Sequence, residues 1–148
     1  MTKCYYFYLV EKNLLYHMKK NHTSRILVVD DSSTNIVLLE AILNGQGYLI
    51  ETAQSVKEAY QIIKKETVNL ILLDLLMPRV SGYDFLKEIK SNDSTKDIPV
   101  IIVSAVADPE NKKKSIELGA LDFINKPIDI QDFIERIDII LKKKETIA

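Results

Sequence analysis

The sequence predicts a single α/β domain in which a five-stranded parallel sheet has helices on both faces. Between residues 25 and 142, short apolar runs alternate five times with segments of helical spacing. The runs are rich in β-branched residues and lack the polar–apolar alternation of a half-exposed strand, as expected for strands buried on both faces. Regular alternation of strand and helix is typical of a doubly wound sheet with right-handed crossovers.

The composition fits one domain of an ordinary soluble type. The chain has 148 residues, 47% of them hydrophobic and 28% charged, and a formal net charge of −1. This length suits one domain with a substantial core. The balanced charge gives no reason to expect a nucleic-acid or membrane partner. A lone Cys4 cannot form an internal disulfide, which fits a cytoplasmic location.

Residues 1–24 differ from the rest of the chain. The apolar stretch CYYFYLV (4–10) ends at Glu11 and Lys12, far short of the roughly 20 residues that a membrane span needs. No small-residue cleavage site follows it, so a signal peptide is a poor fit. We predict an N-terminal extension that is either disordered or a short helix, since helical spacing relates Phe7, Val10, Leu14 and Met18.

Each strand is predicted from a short apolar run. The predicted strands are ILVV (26–29), YLIETA (48–53), LILL (70–73), VIIV (100–103) and the weaker LDFIN (121–125). No internal repeat or low-complexity tract interrupts this order.

The helices are predicted from apolar spacing and from stop signals. Gly45 and Gly47 end the first helix and Gly119 ends the fourth, DPENKKKSIELG (108–119). The segment 129–142 is the clearest amphipathic helix. The apolar positions at helical spacing, for the first, second, third and fifth predicted helices in turn, are Ile36, Leu39 and Leu43; Val56, Ala59, Tyr60 and Ile63; Phe85, Leu86 and Ile89; and Ile130, Phe133, Ile134, Ile137 and Leu141.

Polar side chains stand at the carboxyl ends of four predicted strands. They are Asp30 and Asp31 after strand 1, Asp74 after strand 3, Ser104 after strand 4 and Lys126 after strand 5. Ligands bind at this edge of a parallel sheet, where the strand order reverses. If strands 1 and 3 are neighbours, three carboxylates meet there and repel one another unless a cation offsets their charge. Carboxylates without cysteine or histidine suit Mg²⁺ rather than zinc.

This constellation resembles the receiver domain of two-component response regulators. VVDDS, LLDLLMPRVSG, VSA and NKP occur in the family's order, each after its strand, from residue 25 to about residue 142. The resemblance implies the flavodoxin-like strand order 2-1-3-4-5. It also divides the chain into the extension 1–24, a receiver domain 25–142 and a C-terminal tail 143–148.

The resemblance implies a phosphoacceptor and a magnesium site. Asp74 would accept a phosphoryl group. Asp31, Asp74 and the main-chain carbonyl of Leu76 would hold Mg²⁺, and Asp30 would assist through water. Phosphoryl transfer needs chiefly positioning and neutralisation of charge, which such a set of groups supplies.

The resemblance also implies a switch. Ser104 and Lys126 would receive the phosphoryl oxygens, and Phe123 would be the switch aromatic. Phosphorylation would draw Ser104 inward, give Phe123 space to turn inward, and change the surface of helix 4, strand 5 and helix 5. The peptide bond before Pro127 would be cis.

The expected partners are proteins. The chain has no GxxxxGK[ST] loop, and GQGYLI is an incomplete dinucleotide fingerprint, so the donor would be a phosphohistidine of a sensor kinase or phosphotransfer protein. His17 and His22 lie outside the matched region. Only KKKETIA follows residue 141, so we expect output through a downstream protein target or a homodimer, by a single-domain regulator or the receiver part of a hybrid kinase.

Each site residue also has an ordinary structural interpretation. Asp31 and Ser32 fit the cap of a helix, Asp74 a turn at a strand end, Lys126 a surface lysine and Phe123 a core aromatic. All of these interpretations together require several coincidences at one sheet edge, which favours the functional reading.

Two other functions remain as alternatives. A Mg²⁺-dependent phosphatase with an aspartyl nucleophile usually has a second aspartate two residues later, but Ser32 and Leu76 occupy those places after Asp30 and Asp74. A phosphorylation-independent docking module would not need the acidic set. We therefore expect that the chain is not an enzyme, although it promotes its own phosphorylation and slow dephosphorylation.

Two apolar residues predict a long-lived aspartyl phosphate. Leu76 and Val106 stand where the family has polar residues that help to orient the hydrolytic water. Serine instead of threonine at position 104 and phenylalanine instead of tyrosine at position 123 are milder departures.

Overall fold

The computed structural model describes residues 23–147, with side chains described to residue 142. The predicted N-terminal extension, with Cys4, His17 and His22, falls almost wholly outside the described residues. The strands within them are β1 (Arg25–Val29), β2 (Leu49–Ala53), β3 (Leu70–Leu73), β4 (Val100–Ser104) and β5 (Asp122–Asn125). The helices are α1 (Ser33–Asn44), α2 (Val56–Lys65), α3 (Gly82–Ser91), α4 (Pro109–Glu117) and α5 (Ile130–Ile147).

The strands form one parallel sheet in the order β2-β1-β3-β4-β5, which confirms the predicted fold. Val29 stands level with Leu73 in the register of β1 and β3. The ladder continues one residue further, because the amide of Asp74 donates to the carbonyl of Val29 at 3.0 Å. Asp30 and Asp74 therefore leave neighbouring strands at the same height.

Two apolar cores, one on each face, explain why the strands show no alternation of polar and apolar residues. Leu27, Val29, Ile71 and Leu73 pack with α2 and α3, and the residues between them pack with α1 and α5. Because both faces are covered, every strand position of β1 and β3 except Arg25 is buried.

The helices begin at caps that the sequence contains. Ser32, Ser55, Ser81 and Asp108 cap α1 to α4, each accepting a hydrogen bond from an amide in the first turn. Gly119 follows α4 with φ of 104°, a left-handed conformation that suits glycine and confirms the predicted stop.

The last helix departs from the prediction in two ways. α5 continues through residues 143–147, which we expected to form a tail. That segment has no glycine or proline, and its lysines are good helix formers that suit the C-terminal end of a helix. Ile130, expected in the apolar stripe, is 51% exposed because it starts the helix. Among the described residues, no helix combines the length and the apolar character that crossing a membrane requires.

Candidate functional site

The structure brings the three predicted carboxylates together. Asp30, Asp31 and Asp74 each offer one oxygen within 4.8 Å of the others. Asp30 is 2% exposed and Asp74 is 7% exposed, whereas Asp31 is open to solvent. The ends of β1 and β3 lie level with each other, which produces this meeting, since Asp30 and Asp74 are the first residues after these strands and Asp31 follows Asp30.

Lys126 reaches both buried carboxylates. Its Nζ donates to Asp30 Oδ2 at 2.8 Å and to Asp74 Oδ2 at 3.1 Å. Burial by itself lowers the pKa of Lys126, but the hydrogen bonds and charges of the two aspartates outweigh it, so the pKa lies above its usual value. The ammonium is therefore charged at neutral pH. The peptide bond between Lys126 and Pro127 is cis, as the resemblance implied.

Main-chain amides hold the other oxygens of the buried carboxylates. The amide of Ser32 donates to Asp30 Oδ1 at 2.9 Å, and that of Leu76 donates to Asp74 Oδ1 at 3.1 Å. Each buried acid is thus held by one ammonium and one amide, which orients its carboxylate. These two contacts could not be predicted from the sequence, because any residue except proline has a main-chain amide that can donate a hydrogen bond.

The donor set fits a divalent cation. Three carboxylates and one ammonium leave two negative charges in a largely buried cluster. Within the described residues, the Asp31 carboxylate has no hydrogen bond or ion pair, and Ser32 alone caps α1. An exposed carboxylate beside two buried ones is an oxygen set that suits Mg²⁺ with several of its waters retained. The acidic cluster is consistent with the magnesium site of a receiver domain.

Ser104 lies at the same edge but does not bond to Asp74. It is fully buried, and its Oγ accepts a hydrogen bond from the amide of Val106 at 3.3 Å. β4 is the neighbour of β3, the strand that Asp74 follows. Its predicted contact with a phosphoryl oxygen stays a prediction.

The ring of Phe123 is buried, with 8% of the residue exposed. Its predicted turn on phosphorylation stays a prediction. The ring packs in the core cluster of α2 and α3, and the Nζ of Lys112 stands 5.9 Å from the ring centroid. The apolar neighbours and this cation hold it there.

Gly82, the glycine of the RVSG motif, lies against the backbone of Asp74 and Leu75. A Cβ at this position would lie 2.7 Å from Leu75 Cα and 2.8 Å from the carbonyl oxygen of Asp74. Only glycine allows α3 to begin so close to the backbone of Asp74 and Leu75. The glycine of RVSG was the signal in the sequence.

Comparisons with known proteins agree with this geometry. The family model described as the response regulator receiver domain matches residues 26–138. A probable cyclic di-GMP phosphodiesterase of Vibrio cholerae is 38% identical over 136 residues, which are 90% of this chain and 31% of that protein. Response regulator PleD of Caulobacter vibrioides is 36% identical over 107 residues, 72% of this chain and 24% of that protein. The chain thus spans less than a third of each of these two relatives.

Solved structures show the same fold. A putative response regulator from Chloroflexus aurantiacus matches with a TM-score of 0.77 and 33% identity, covering 82% of this chain and 99% of that one. A receiver domain protein described as CheY-like, from Methanospirillum hungatei, matches with a TM-score of 0.77 and 30% identity, covering 86% and 100%.

Proposed function

The chain belongs to the response regulator receiver domain family of two-component signalling, and we propose that Asp74 accepts a phosphoryl group from a phosphohistidine of a sensor kinase or phosphotransfer protein. One observation carries the proposal: the buried Asp74 carboxylate is oriented by Lys126 and the Leu76 amide beside two further acids.

The chemistry follows from the placement of charge. A carboxylate oxygen of Asp74 attacks phosphorus as the bond from phosphorus to the donor imidazole nitrogen breaks, and the electron pair of that bond stays on the imidazole. Lys126 offsets charge on the phosphoryl oxygens, and Ser104 supplies a hydroxyl from the adjacent strand. Asp30, Asp31, Asp74 and the Leu76 carbonyl would hold Mg²⁺, which when bound neutralises charge that the single ammonium cannot.

The surface beside the site suits a protein donor. On α1, Val37 is 63% exposed and Leu38 is 50% exposed. Leu38 also lines a cavity of about 250 Å³ between α1 and the segment after β5, which is formed by Asn35, Leu38, Leu39, Lys126, Pro127 and Ile128. A donor that reaches Asp74 passes this apolar surface, and covering it would stabilise the encounter.

A second apolar surface supports output through protein contact. Ile116 on α4, Leu121 before β5 and Ile139 on α5 are each about half exposed. They belong to the helix 4, strand 5 and helix 5 surface, which we propose is read by a downstream protein or a second copy of the chain. The specific partners are proposals.

Two apolar side chains support a slow loss of the phosphoryl group. Leu76 is 55% exposed and Val106 is half-buried. Their amides bond to Asp74 and Ser104, so both residues flank the site. Neither side chain can donate or accept a hydrogen bond to an attacking water, so we propose a long-lived aspartyl phosphate.

Phosphorylation by acetyl phosphate and Mg²⁺, followed by intact mass, tests the proposal. We expect the wild type to gain one phosphoryl group and Asp74→Ala to gain none. Asp84→Ala, which removes an exposed aspartate in the first turn of α3, is the matched control and keeps the gain. A gain that survives Asp74→Ala contradicts the proposal, and continuous release of phosphate without an accumulating adduct favours the phosphatase alternative.

A further inference from the structure

α3 begins directly against the backbone of the phosphoacceptor. Gly82 is its first residue, and the closeness of Leu75 Cα and the Asp74 carbonyl leaves no room for a side chain there. Because packed backbone cannot be compressed, a shift at Asp74 or Leu75 moves the first turn of α3.

The next residue, Tyr83, joins this turn to α4. Its hydroxyl donates to Asn111 Oδ1, and the Nζ of Lys114 stands 4.1 Å from the centroid of its ring. Asn111 and Lys114 are three residues apart and therefore share a face of α4. Burial raises the pKa of Tyr83, and the charges of Asp108 and Glu110 add to the rise. The hydroxyl is therefore protonated and able to donate at neutral pH.

Asn111 is the residue that anchors the start of α4. Its amide donates to Asp108 Oδ1 at 2.9 Å, and its Nδ2 donates to Asp108 Oδ2 at 2.7 Å. These bonds lower the pKa of Asp108, the N-cap of α4, which keeps the cap charged. Ser115 Oγ also donates to the Asn111 carbonyl at 2.8 Å. Tyr83 thus holds a residue that is itself fixed to the first turn of α4.

We propose that Tyr83 couples the phosphoacceptor to α4 through α3, as a positioning residue on a connection separate from Ser104 and Phe123. The inference rests on the proposed phosphorylation of Asp74. A phosphoryl group there adds charge next to Gly82, the first turn of α3 follows the backbone of Asp74 and Leu75, and Tyr83 passes the movement to Asn111 and Lys114. Coupling of this kind is reciprocal, so the position of α4 also affects the site.

Amide hydrogen exchange of residues 110–117, measured with and without acetyl phosphate and Mg²⁺, tests the inference in Tyr83→Phe. We expect exchange about fivefold faster before phosphorylation, the factor that one typical hydrogen bond supplies. We also expect the change caused by phosphorylation to fall to about half or less of the wild-type change, while the yield of phosphorylated protein stays within about twofold. A merely structural role would speed exchange equally in both conditions and leave that change intact.

Tyr60→Phe is the matched control. The Tyr60 hydroxyl donates to a carboxylate oxygen of Glu88 on α3, and the centroid of its ring lies 5.3 Å from that of Phe85 in an edge-on arrangement. The same substitution therefore removes a tyrosine hydroxyl that bonds to α3 and not to α4. We expect its α4 response to equal that of the wild type.

The outcomes separate this inference from the proposed function. If the wild type gains no phosphoryl group, both fail. If it gains one but Tyr83→Phe keeps the full α4 response, if both variants lose it equally, or if wild-type α4 does not respond, the inference alone is wrong.

Discussion

β1 carries a cluster of charged residues near each end, and the two clusters behave differently. At the amino end, Arg25 bonds to Glu66 at 2.6 Å and stands 3.6 Å from Glu51. At the carboxyl end, Lys126 bonds to Asp30 and Asp74. Each cluster joins one cation to two acids, so a list of ion pairs does not distinguish them.

Burial distinguishes them. The side chains of Glu51 and Glu66 are 36% and 42% exposed, whereas those of Asp30 and Asp74 are 3% and 8% exposed. Water screens the excess charge at the amino end. At the carboxyl end little water reaches the two buried acids and Asp31 adds a further charge, which is consistent with a cation site. The difference in burial, rather than the number of ion pairs, therefore distinguishes the candidate site from the surface cluster.

The largest expected effect separates the two cations. Lys126→Met should lower the free energy of unfolding by about 3 kcal/mol, because it leaves buried charges without a partner. Arg25→Met should cost about 1 kcal/mol or less, because its acids are largely solvated. Urea unfolding without Mg²⁺ at neutral pH measures both. Equal costs would show that burial does not distinguish the clusters.

Magnesium should stabilise the protein through the carboxyl end alone. At ten times its dissociation constant, Mg²⁺ should raise the free energy of unfolding by about 1.4 kcal/mol. Asp31→Ala should remove most of this gain, and Glu66→Gln, which neutralises an acid at the other end, should retain it. Thermal unfolding across a Mg²⁺ titration measures the difference, and a gain that Asp31→Ala preserves would place the ion elsewhere.

The smallest expected effect concerns hydrolysis of the aspartyl phosphate at the carboxyl end of the sheet. Leu76→Asn or Val106→Glu should speed loss of the phosphoryl group about fivefold, the factor of one added hydrogen bond to the attacking water. Leu121→Asn is the control, since Leu121 is 56% exposed and Leu76 55%, but Leu121 lies before β5 and away from the site. Intact mass after removal of acetyl phosphate measures the decay. Decay that is no faster in the first two variants contradicts the idea.

Most of the sheet was predictable because its signal is local. All five strands lie within one residue of their predicted ends, since burial on both faces leaves a continuous apolar run. β4 extends one residue beyond its predicted run, so Ser104 is the last residue of the strand itself. The end of α5 was missed because no breaking residue marks it.

The order of strands and helices along the chain and the family could be read from the sequence alone, because apolar periodicity and four short motifs depend on neighbouring residues. Three further features came only from the folded chain: Lys126 bonds to Asp30 as well as Asp74, the Phe123 ring is buried, and Tyr83 bonds to Asn111. These contacts join residues 28 to 96 positions apart or depend on the packing around a ring. Their geometry comes from the register of the sheet and the packing of helices on it, which no local pattern encodes.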